Sequence, residues 1–528
     1  MNSFSDILRI ERSLPHNEGR LFQLVVSVVS SFLRVLCSSL FAVLRYPTSN
    51  RTSIHPTPIP THRDTPEPHM PLEVITPDEA SPRDSGLRHN ILSPLETISQ
   101  SISAIAPTTS PALTVPLVFA LAVNGTWLAY LLAAAATLLI ALCIARFAQT
   151  SASPGSLYKY ATDSLPPIAG RTAGWALLLA YSAAGVSVVG GFINYAIVLV
   201  PAAHGLPAWL IAILPIATAT YFAYRDVQAS ARLMLWIEAA SVSMIALVIL
   251  ALIFQNGPKL DLPQVQLHAV TTSGVRLGIV LALFSFVGFE SATTLGHEAR
   301  NPLRTIPRAV ILSAVLVGLF FLICCYTETL GFRQLHQDLG TSQAPFRALA
   351  TLAHIPVLGP LIDIGAFVSM FACTLACITP ASRILLKMAH DGLVHPHLGR
   401  AHSRNETPHI AVLAVGLVIL IPSLALTARG VSGADIYGYM GSLSVYGFIT
   451  VYGLVALALP VYLRRNDRLT PAALIFSIAA ALAMILAMAG TLYPIPASPY
   501  SILPYIYLAY LALGLTISHL TPTRATNK

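Results

Sequence analysis

Long apolar runs separated by short polar loops occupy the chain from residue 95 almost to its end. Each run is long enough to cross the roughly 30 Å of hydrocarbon in a lipid bilayer as a helix. The pattern predicts an all-α integral membrane protein with about twelve transmembrane helices, and an even number places both termini on one side. The predicted spans lie near 98–122, 126–148, 168–200, 207–224, 230–254, 275–297, 307–331, 357–380, 409–427, 434–460, 470–490 and 500–519.

Two of these spans are interrupted by residues that break a helix. The first contains APTTSP at 106–111, and the sixth contains SFVGFES at 285–291. Proline removes a backbone hydrogen-bond donor, and neither glycine nor a carboxylate stabilises a helix that lies in lipid. Broken helices and buried carboxylates therefore persist in membranes mainly where they line a substrate or ion pathway. The breaks occupy corresponding places in two five-span halves, which is the sequence pattern of a transporter's binding site.

The N-terminal region differs from the rest of the chain. Residues 47–90 are rich in Pro, Thr, Ser, Asp and Arg, a composition typical of disorder. The apolar stretch Leu21–Leu44 contains several serines and suits an interfacial helix or a thirteenth span, and translation starting at Met70 is a further alternative. We therefore expect an N-terminal extension over 1–94, largely disordered or assigned from a wrong start. The transporter domain follows over 95–520 (first repeat about 98–254, second about 275–460, extra helices about 470–519), with a tail at 521–528.

Composition and charge agree with a membrane protein. Charged residues make up 10% of the chain, against about 25% in soluble domains, and the mean hydropathy is +0.69. From residue 95 onwards, 17 Lys and Arg residues fall in the loops on one side of the predicted spans and 5 on the other. By the positive-inside rule both termini are cytoplasmic in a multi-pass protein of the cell membrane. The net charge of +8 reflects this topology, and we expect no nucleic-acid partner.

Four motifs resemble one transporter family. The segment SFVGFESATTLGHEARNPLRTIPRAV at 285–310 resembles the sixth span and following loop of permeases in the amino acid–polyamine–organocation superfamily. SPGSLYKY at 153–160, ASRILLKMAHDGL at 381–393 and TPH at 407–409 resemble the regions after the second span, at the end of the eighth and at the start of the ninth. The resemblance covers about 95–520. It implies a five-plus-five inverted repeat with broken helices 1 and 6, plus two C-terminal helices.

The resemblance also implies transport of amino acids or related amines, by proton or sodium symport or by exchange. One motif departs from the family: many members have a glycine-rich run in the first span, where this chain has APTTSP. That difference prevents the transfer of any one member's substrate specificity.

The two breaks predict how an amino-acid zwitterion is bound. Unwound helix ends present N–H groups to a carboxylate and carbonyls to an ammonium group. We assign the substrate carboxylate to the first break and the amino group to the second, where Gly288 allows the backbone to approach closely and a phenylalanine covers the substrate. The alternatives are that the hydroxyls of the first break bond to their own helix and that the phenylalanines only pack against neighbouring residues. The predicted substrate-binding residues are Ala106, Pro107, Thr108, Thr109, Ser110, Phe284, Ser285, Phe286, Val287 and Gly288.

Two carboxylates are candidates for proton coupling. Glu238 lies in the fifth span and Glu290 one turn past the second break. Burial favours the protonated form of a carboxyl group, which suits a proton carrier, although Glu238 could instead form a structural hydrogen bond. Some relatives place a Lys in the fifth span at a sodium position, and this chain has none. Proton is preferred to sodium as the coupling ion because Glu238 and Glu290 offer carriers, and no other cofactor and no metal site is expected.

The polar elbow after the sixth span provides gate candidates. These are Phe289, Glu298, Arg300 and Asn301. We expect ion pairs between this elbow and Asp391 or Asp226 to close the inner side, whereas simple surface anchoring is the alternative. Asp363, near the start of the eighth span, is expected to cap a helix.

The predicted function is that of a secondary active permease for amino acids or related amines, working by alternating access with proton coupling. An exchanger of the same fold and a non-transporting amino-acid sensor are the alternatives. An enzyme is not expected, because no HExxH, no GxSxG and no pair of intramembrane acids within one turn is present. The expected partners are an amino acid or amine substrate and the lipid bilayer. Neutral amino acids are favoured as substrates because no acidic residue lies clearly in the predicted site. The sequence does not indicate an oligomeric state.

The loop charges predict the orientation of the chain. A fluorescent protein that matures only in the cytoplasm should be bright when fused after residue 528 and dark when fused after Gly430, because the two points lie on opposite predicted sides. Fluorescence of matched amounts of each fusion measures this. A dark C-terminal fusion beside a bright fusion at Gly430 would reverse the orientation.

Overall fold

The computed structural model describes residues 86–200, 205–225, 227–256, 261–493, 495 and 498–520. Throughout these ranges the regular structure is helical, and the β-type pairing in them is a single isolated parallel bridge between Leu92 and Ala299. The predicted all-α class is confirmed. The expectations for Leu21–Leu44, Met70, residues 1–85 and the tail 521–528 fall outside the described ranges.

Sixteen α-helices are described in chain order. They are α1 (Pro94–Ile105), α2 (Val115–Ala122), α3 (Thr126–Ala148), α4 (Ser156–Ser164), α5 (Pro167–Leu199), α6 (Ala208–Arg225), α7 (Val227–Asn256), α8 (Leu262–Val265), α9 (Thr272–Phe284), α10 (Pro302–Gln334), α11 (Pro345–Leu352), α12 (Leu358–His390), α13 (His409–Ala428), α14 (Gly433–Arg465), α15 (Pro471–Leu492) and α16 (Leu503–Leu520). Short 3-10 or π segments adjoin several of them, among them Ser110–Thr114 and Ser291–Leu295.

The described residues contain ten helical stretches that are long and apolar enough to cross a membrane. One of them, Pro94–Ala148, has 55 residues and holds the first two predicted spans, which α1 with α2 and α3 provide. The sixth predicted span is represented by α9, which has only 13 residues because the second break ends it. All twelve predicted spans therefore appear as helical segments.

Small residues bring the central helices into close contact. A Cβ atom at Gly447 of α14 would lie 2.5 Å from the carbonyl oxygen of Ala176 in α5, so the two backbones approach more closely than any side chain permits. Along its apolar window α5 is 89% buried, whereas the last stretch, Tyr500–Leu520, is 22% buried. The core therefore forms around α5, and the C-terminal helix lies at the periphery.

The chain before α1 packs against the elbow that follows the second break. Leu92 is fully buried, and the N–H groups of Ile91 and Leu92 both donate to the carbonyl oxygen of Glu298 at 2.9 Å. The N–H of Arg300 donates back to the carbonyl of Leu92. A capping box between Ser93 and Glu96 then starts α1. We call the membrane side that carries residues 298–301 the elbow side.

The contact between α5 and α14 predicts a difference between two glycines of one helix. Gly447→Ala should lower the midpoint temperature of thermal unfolding, because overpacking costs about 1–3 kcal/mol. Gly453→Ala is the matched control: its Cβ would meet only Met484 Cβ, at 3.7 Å, so alanine should be neutral or stabilising. Equal melting temperatures for the two variants in detergent would contradict this packing.

Candidate functional site

The first break follows directly from the sequence at 106–111. Ala106 adopts the left-handed conformation (φ 52°) and ends α1, and its carbonyl accepts from the N–H groups of Thr109 and Ser110. The π-helical turn Ser110–Thr114 then leads into α2. All five predicted residues, 106–110, are buried, and in the described part of the protein the Thr109 hydroxyl has no hydrogen-bond partner. The break thus leaves a buried donor available to a bound molecule.

The second break is a series of tight turns. From Ser285 to Phe289, successive N–H groups bond to carbonyls three residues earlier, except at Gly288, where φ is +91°. A Cβ atom at Gly288 would lie 2.8 Å from Ala104 Cβ and 3.0 Å from the Ala104 carbonyl oxygen. The two breaks are therefore adjacent, and the missing side chain of Gly288 is what lets α1 approach. Its predicted role in admitting substrate stays a prediction.

The three phenylalanines of the second break pack in different directions. Phe284 meets Tyr437 of α14, Phe286 meets Phe321 of α10, and Phe289 meets Tyr452 of α14, with ring centroids 5.5, 5.3 and 5.4 Å apart. Their neighbours Ser285 and Val287 are also buried, and the Ser285 hydroxyl lies 3.0 Å from the Tyr130 hydroxyl. The break is consequently enclosed by aromatic rings, and a substrate-facing role for any one of them stays a prediction.

Glu238 connects the first break to α12. It is 3% exposed in α7. Its Oε1 accepts a hydrogen bond from Ser369 of α12 at 2.7 Å, and its Oε2 accepts a longer one from Thr108 at 3.5 Å. One carboxylate therefore contacts both the first break and a neighbouring helix.

Glu290 is held by two tyrosines. Its carboxylate oxygens accept from Tyr181 of α5 and Tyr452 of α14, both at 2.6 Å, and the residue is fully buried. Because both partners belong to the central helices, Glu290 ties the second break to the core. Glu238 and Glu290 are satisfied by different helices, so they form two separate sites.

The elbow is joined to α12 by a buried ion pair. Arg383 donates to Glu298 through Nε at 2.9 Å and Nη2 at 2.5 Å, and the two side chains are 2% and 0% exposed. Arg300 donates from Nε to the carbonyl of Asn90, and Asn301 adopts the left-handed conformation (φ 49°) at the start of α10. All of these contacts lie on the elbow side.

Two predicted partners differ from those observed. The elbow was expected to pair with Asp391, but Asp391 bonds to Lys387 and to Tyr158, because it lies one turn beyond Lys387 on the same helix end. Asp226 lies outside the described residues. Asp363 accepts two hydrogen bonds from Arg347 of α11, so it forms an ion pair instead of a helix cap.

A family model described as amino acid permease matches residues 97–520. The chain belongs to the amino acid permease family. The permease therefore transports amino acids or amines across a membrane, as its family does.

Two relatives of the permease are named for different substrates, and a third is an uncharacterized transporter. The Low-affinity putrescine importer PlaP of Escherichia coli strain K12 is 25% identical over 56% of this chain and 66% of its own length. The Branched-chain amino acid permease BcaP of Bacillus subtilis is 25% identical over 55% and 65%, and an uncharacterized transporter of Mycobacterium tuberculosis is 29% identical over 66% and 76%. The solved structure of MhsT in complex with L-phenylalanine matches 76% of this chain and 99% of that chain, with a TM-score of 0.51 and 17% identity. That structural match confirms the fold.

Two buried charged residues of the permease, Arg383 and Glu328, were not predicted as site residues from the sequence. Arg383 lay in a recognised motif, but its partner Glu298 is 85 residues away and nothing local connects them. Glu328 of α10 is a fully buried carboxylate. An ionisable residue within an apolar span is the signal that identified Glu238, and the same signal could have identified Glu328. No group of three His, Cys, Asp or Glu placed to hold a metal occurs in the described ranges.

The ion pair between Glu298 and Arg383 predicts non-additive stability. Arg383→Met should lower the free energy of unfolding by about 3–5 kcal/mol, because it leaves a buried carboxylate uncompensated. Combining it with Glu298→Leu should restore most of that loss. Thermal unfolding of the two single variants and the double variant measures the coupling, and Arg304→Met, an exposed arginine nearby, is the control. A double variant as unstable as the sum of the singles would refute the pairing.

Proposed function

We propose that the permease is a proton-coupled secondary active transporter that moves its substrate by alternating access. The observation that carries this proposal is the position of Glu238, a buried carboxylate between the first break and α12. Putrescine, branched-chain amino acids and cationic amino acids occur in the names of relatives, so an amine group is the feature that the expected substrates share.

The two breaks offer complementary groups to a zwitterion. Among the described residues the buried Thr109 hydroxyl has no hydrogen-bond partner, and the positive N-terminal end of the helical segment that starts at Ser110 suits a carboxylate. Carbonyls near 284–287 suit the ammonium group. The close approach of Gly288 to Ala104 supports this arrangement, because it brings the second break against the end of α1. A substrate bound there would lie between α1 and α9.

Proton binding at Glu238 would change which groups it joins. As a carboxylate it accepts from Thr108 and Ser369, but a protonated carboxyl group carries a donor of its own and accepts less strongly. The bond to Thr108 is the longer of the two, at 3.5 Å, and is the one expected to yield. Loading a proton would then free the first break from α12, which couples proton binding to movement of the substrate site.

The elbow supplies an inner gate for this cycle. In the proposed cycle the Glu298–Arg383 pair, together with the segment 86–93 that bonds to the elbow, keeps the elbow side closed. Opening toward that side requires the pair to separate or to move with α12. The tyrosine pair on Glu290 sits deeper and ties the second break to α5 and α14, so Glu290 is the second candidate for carrying a proton.

Uptake into proteoliposomes tests the coupling. Imposing an acidic exterior should increase uptake of a labelled amino acid or amine by the wild-type protein, whereas a sodium gradient alone should not. In Glu238→Gln the rate of pH-driven uptake should fall by about tenfold or more, because a positioned proton-transfer group has been removed. Exchange of labelled for unlabelled substrate should continue. Ser243→Ala, on the same helix with its hydroxyl bonded only to the Ala239 carbonyl, is the matched control.

The outcomes separate the alternatives. Full pH-driven uptake by Glu238→Gln would exclude Glu238 from coupling, and the same result for Glu290→Gln would exclude that residue. Exchange without any net uptake by the wild type would identify an antiporter. Substrate binding detected by thermal shift, with neither uptake nor exchange, would identify a sensor and reject transport.

A further inference from the structure

Glu328 differs from the other carboxylates buried in the membrane-spanning helices. It is fully buried in α10, and among the described residues neither of its side-chain oxygens has a hydrogen-bond partner. Glu238, Glu290 and Asp363 each accept two hydrogen bonds. The proposed cycle assigns no task to Glu328.

An unpartnered buried carboxylate needs a physical explanation. Burying a polar group without a hydrogen bond opposes folding, and nearly all buried polar groups in native proteins are satisfied. Carboxylates inside membrane segments are rare and generally mark the path of a substrate or ion. A partner that arrives only with the substrate would account for Glu328.

Helix geometry places Glu328 on the side of α10 that faces the second break. Phe321 contacts Phe286 of that break at a centroid distance of 5.3 Å. Glu328 follows Phe321 by two helical turns, so it lies on the same face and about 10 Å further from the elbow side. Helical side chains lean toward the N-terminus of their helix, which directs the carboxylate back toward the break.

Tyrosine hydroxyls lie beside both breaks. The Tyr130 hydroxyl contacts Ser285 in the second break at 3.0 Å, and the Tyr130 ring contacts Phe321 of α10, two helical turns before Glu328, at a centroid distance of 5.9 Å. Tyr437, which bonds to Thr114 beside the first break at 2.8 Å, completes this group. Buried hydroxyl groups therefore lie beside both breaks, and the ring that carries one of them packs against α10.

We propose that Glu328 binds a terminal ammonium group of the substrate, so that the permease carries diamines or amino acids with an ammonium group on an alkyl side chain. The inference rests on the proposed transport function and names its substrate class. One end of the substrate is held at the two breaks, and the four-carbon stem of such a molecule extends along α10 toward Glu328. Neutral amino acids, favoured by the sequence alone, leave the carboxylate unpaired and are the poorer substrates.

A panel of labelled substrates tests this assignment in proteoliposomes that contain the full-length protein. Lysine, ornithine and putrescine are compared with leucine and phenylalanine for wild type, Glu328→Gln and Glu328→Asp. We expect wild type to take up lysine, ornithine or putrescine in preference to leucine and phenylalanine. In Glu328→Gln, uptake of the preferred substrate should fall tenfold or more, while residual uptake of neutral amino acids remains. Glu328→Asp should keep the preference of wild type. Thr329→Val removes an equally buried hydroxyl that bonds only the Cys325 carbonyl, and should behave as wild type.

Each other outcome overturns the proposal. Uptake of neutral amino acids alone by wild type refutes the ammonium site and leaves the transport function intact. An equal loss of all substrates and of the pH response in Glu328→Gln, with a normal melting temperature, assigns Glu328 to proton transfer instead. If Glu328→Gln fails to fold, loss of the preference in a folded Glu328→Asp refutes the proposal, and so does a thermal-shift titration in which lysine stabilises wild type no more than leucine does. Absence of any uptake or exchange by wild type rejects the proposed function itself.

Discussion

The contact between Gly288 and Ala104 is the interaction on which the site depends. A lipid environment offers no partner to an unpaired backbone group, so an interrupted helix survives there only when protein covers the interruption. In this permease the two breaks lie against each other, because Gly288 has no side chain: a Cβ atom there would lie 3.0 Å from the carbonyl oxygen of Ala104 in α1. The same contact brings the groups that we propose for the carboxylate and for the ammonium group of a substrate next to one another.

The buried carboxylates around this pair of breaks bond to different helices. Glu238 joins the first break to α12, Glu290 joins the second to α5 and α14, and Glu298 joins the elbow to α12 through Arg383. Each connects a broken segment to a helix that continues across the membrane. Their hydrogen bonds are directional, so movement of either break must change them. Glu328 stands apart because, among the described residues, neither of its side-chain oxygens has a hydrogen-bond partner.

Much of this organisation was readable along the chain. The residues at 106–111 and 285–291 predicted both breaks, since proline and glycine act on their own backbone and need no distant partner. A charged residue within an apolar span likewise identified Glu238 and Glu290 as candidates. The expected link between the elbow and Asp391 was wrong, because Lys387 reaches Asp391 within its own helix end while Arg383 points across to Glu298.

The sequence by itself determined the class of protein, the number and order of its spans, the positions of the two breaks and the family. Those features are local or periodic, and hydrophobicity and backbone chemistry act over a few residues. Only the tertiary structure decided which carboxylate meets which helix: Ser369 lies 131 residues from Glu238, and Tyr452 lies 162 from Glu290. A buried charge takes its role from the groups that surround it in space, and those groups are brought together by helix packing.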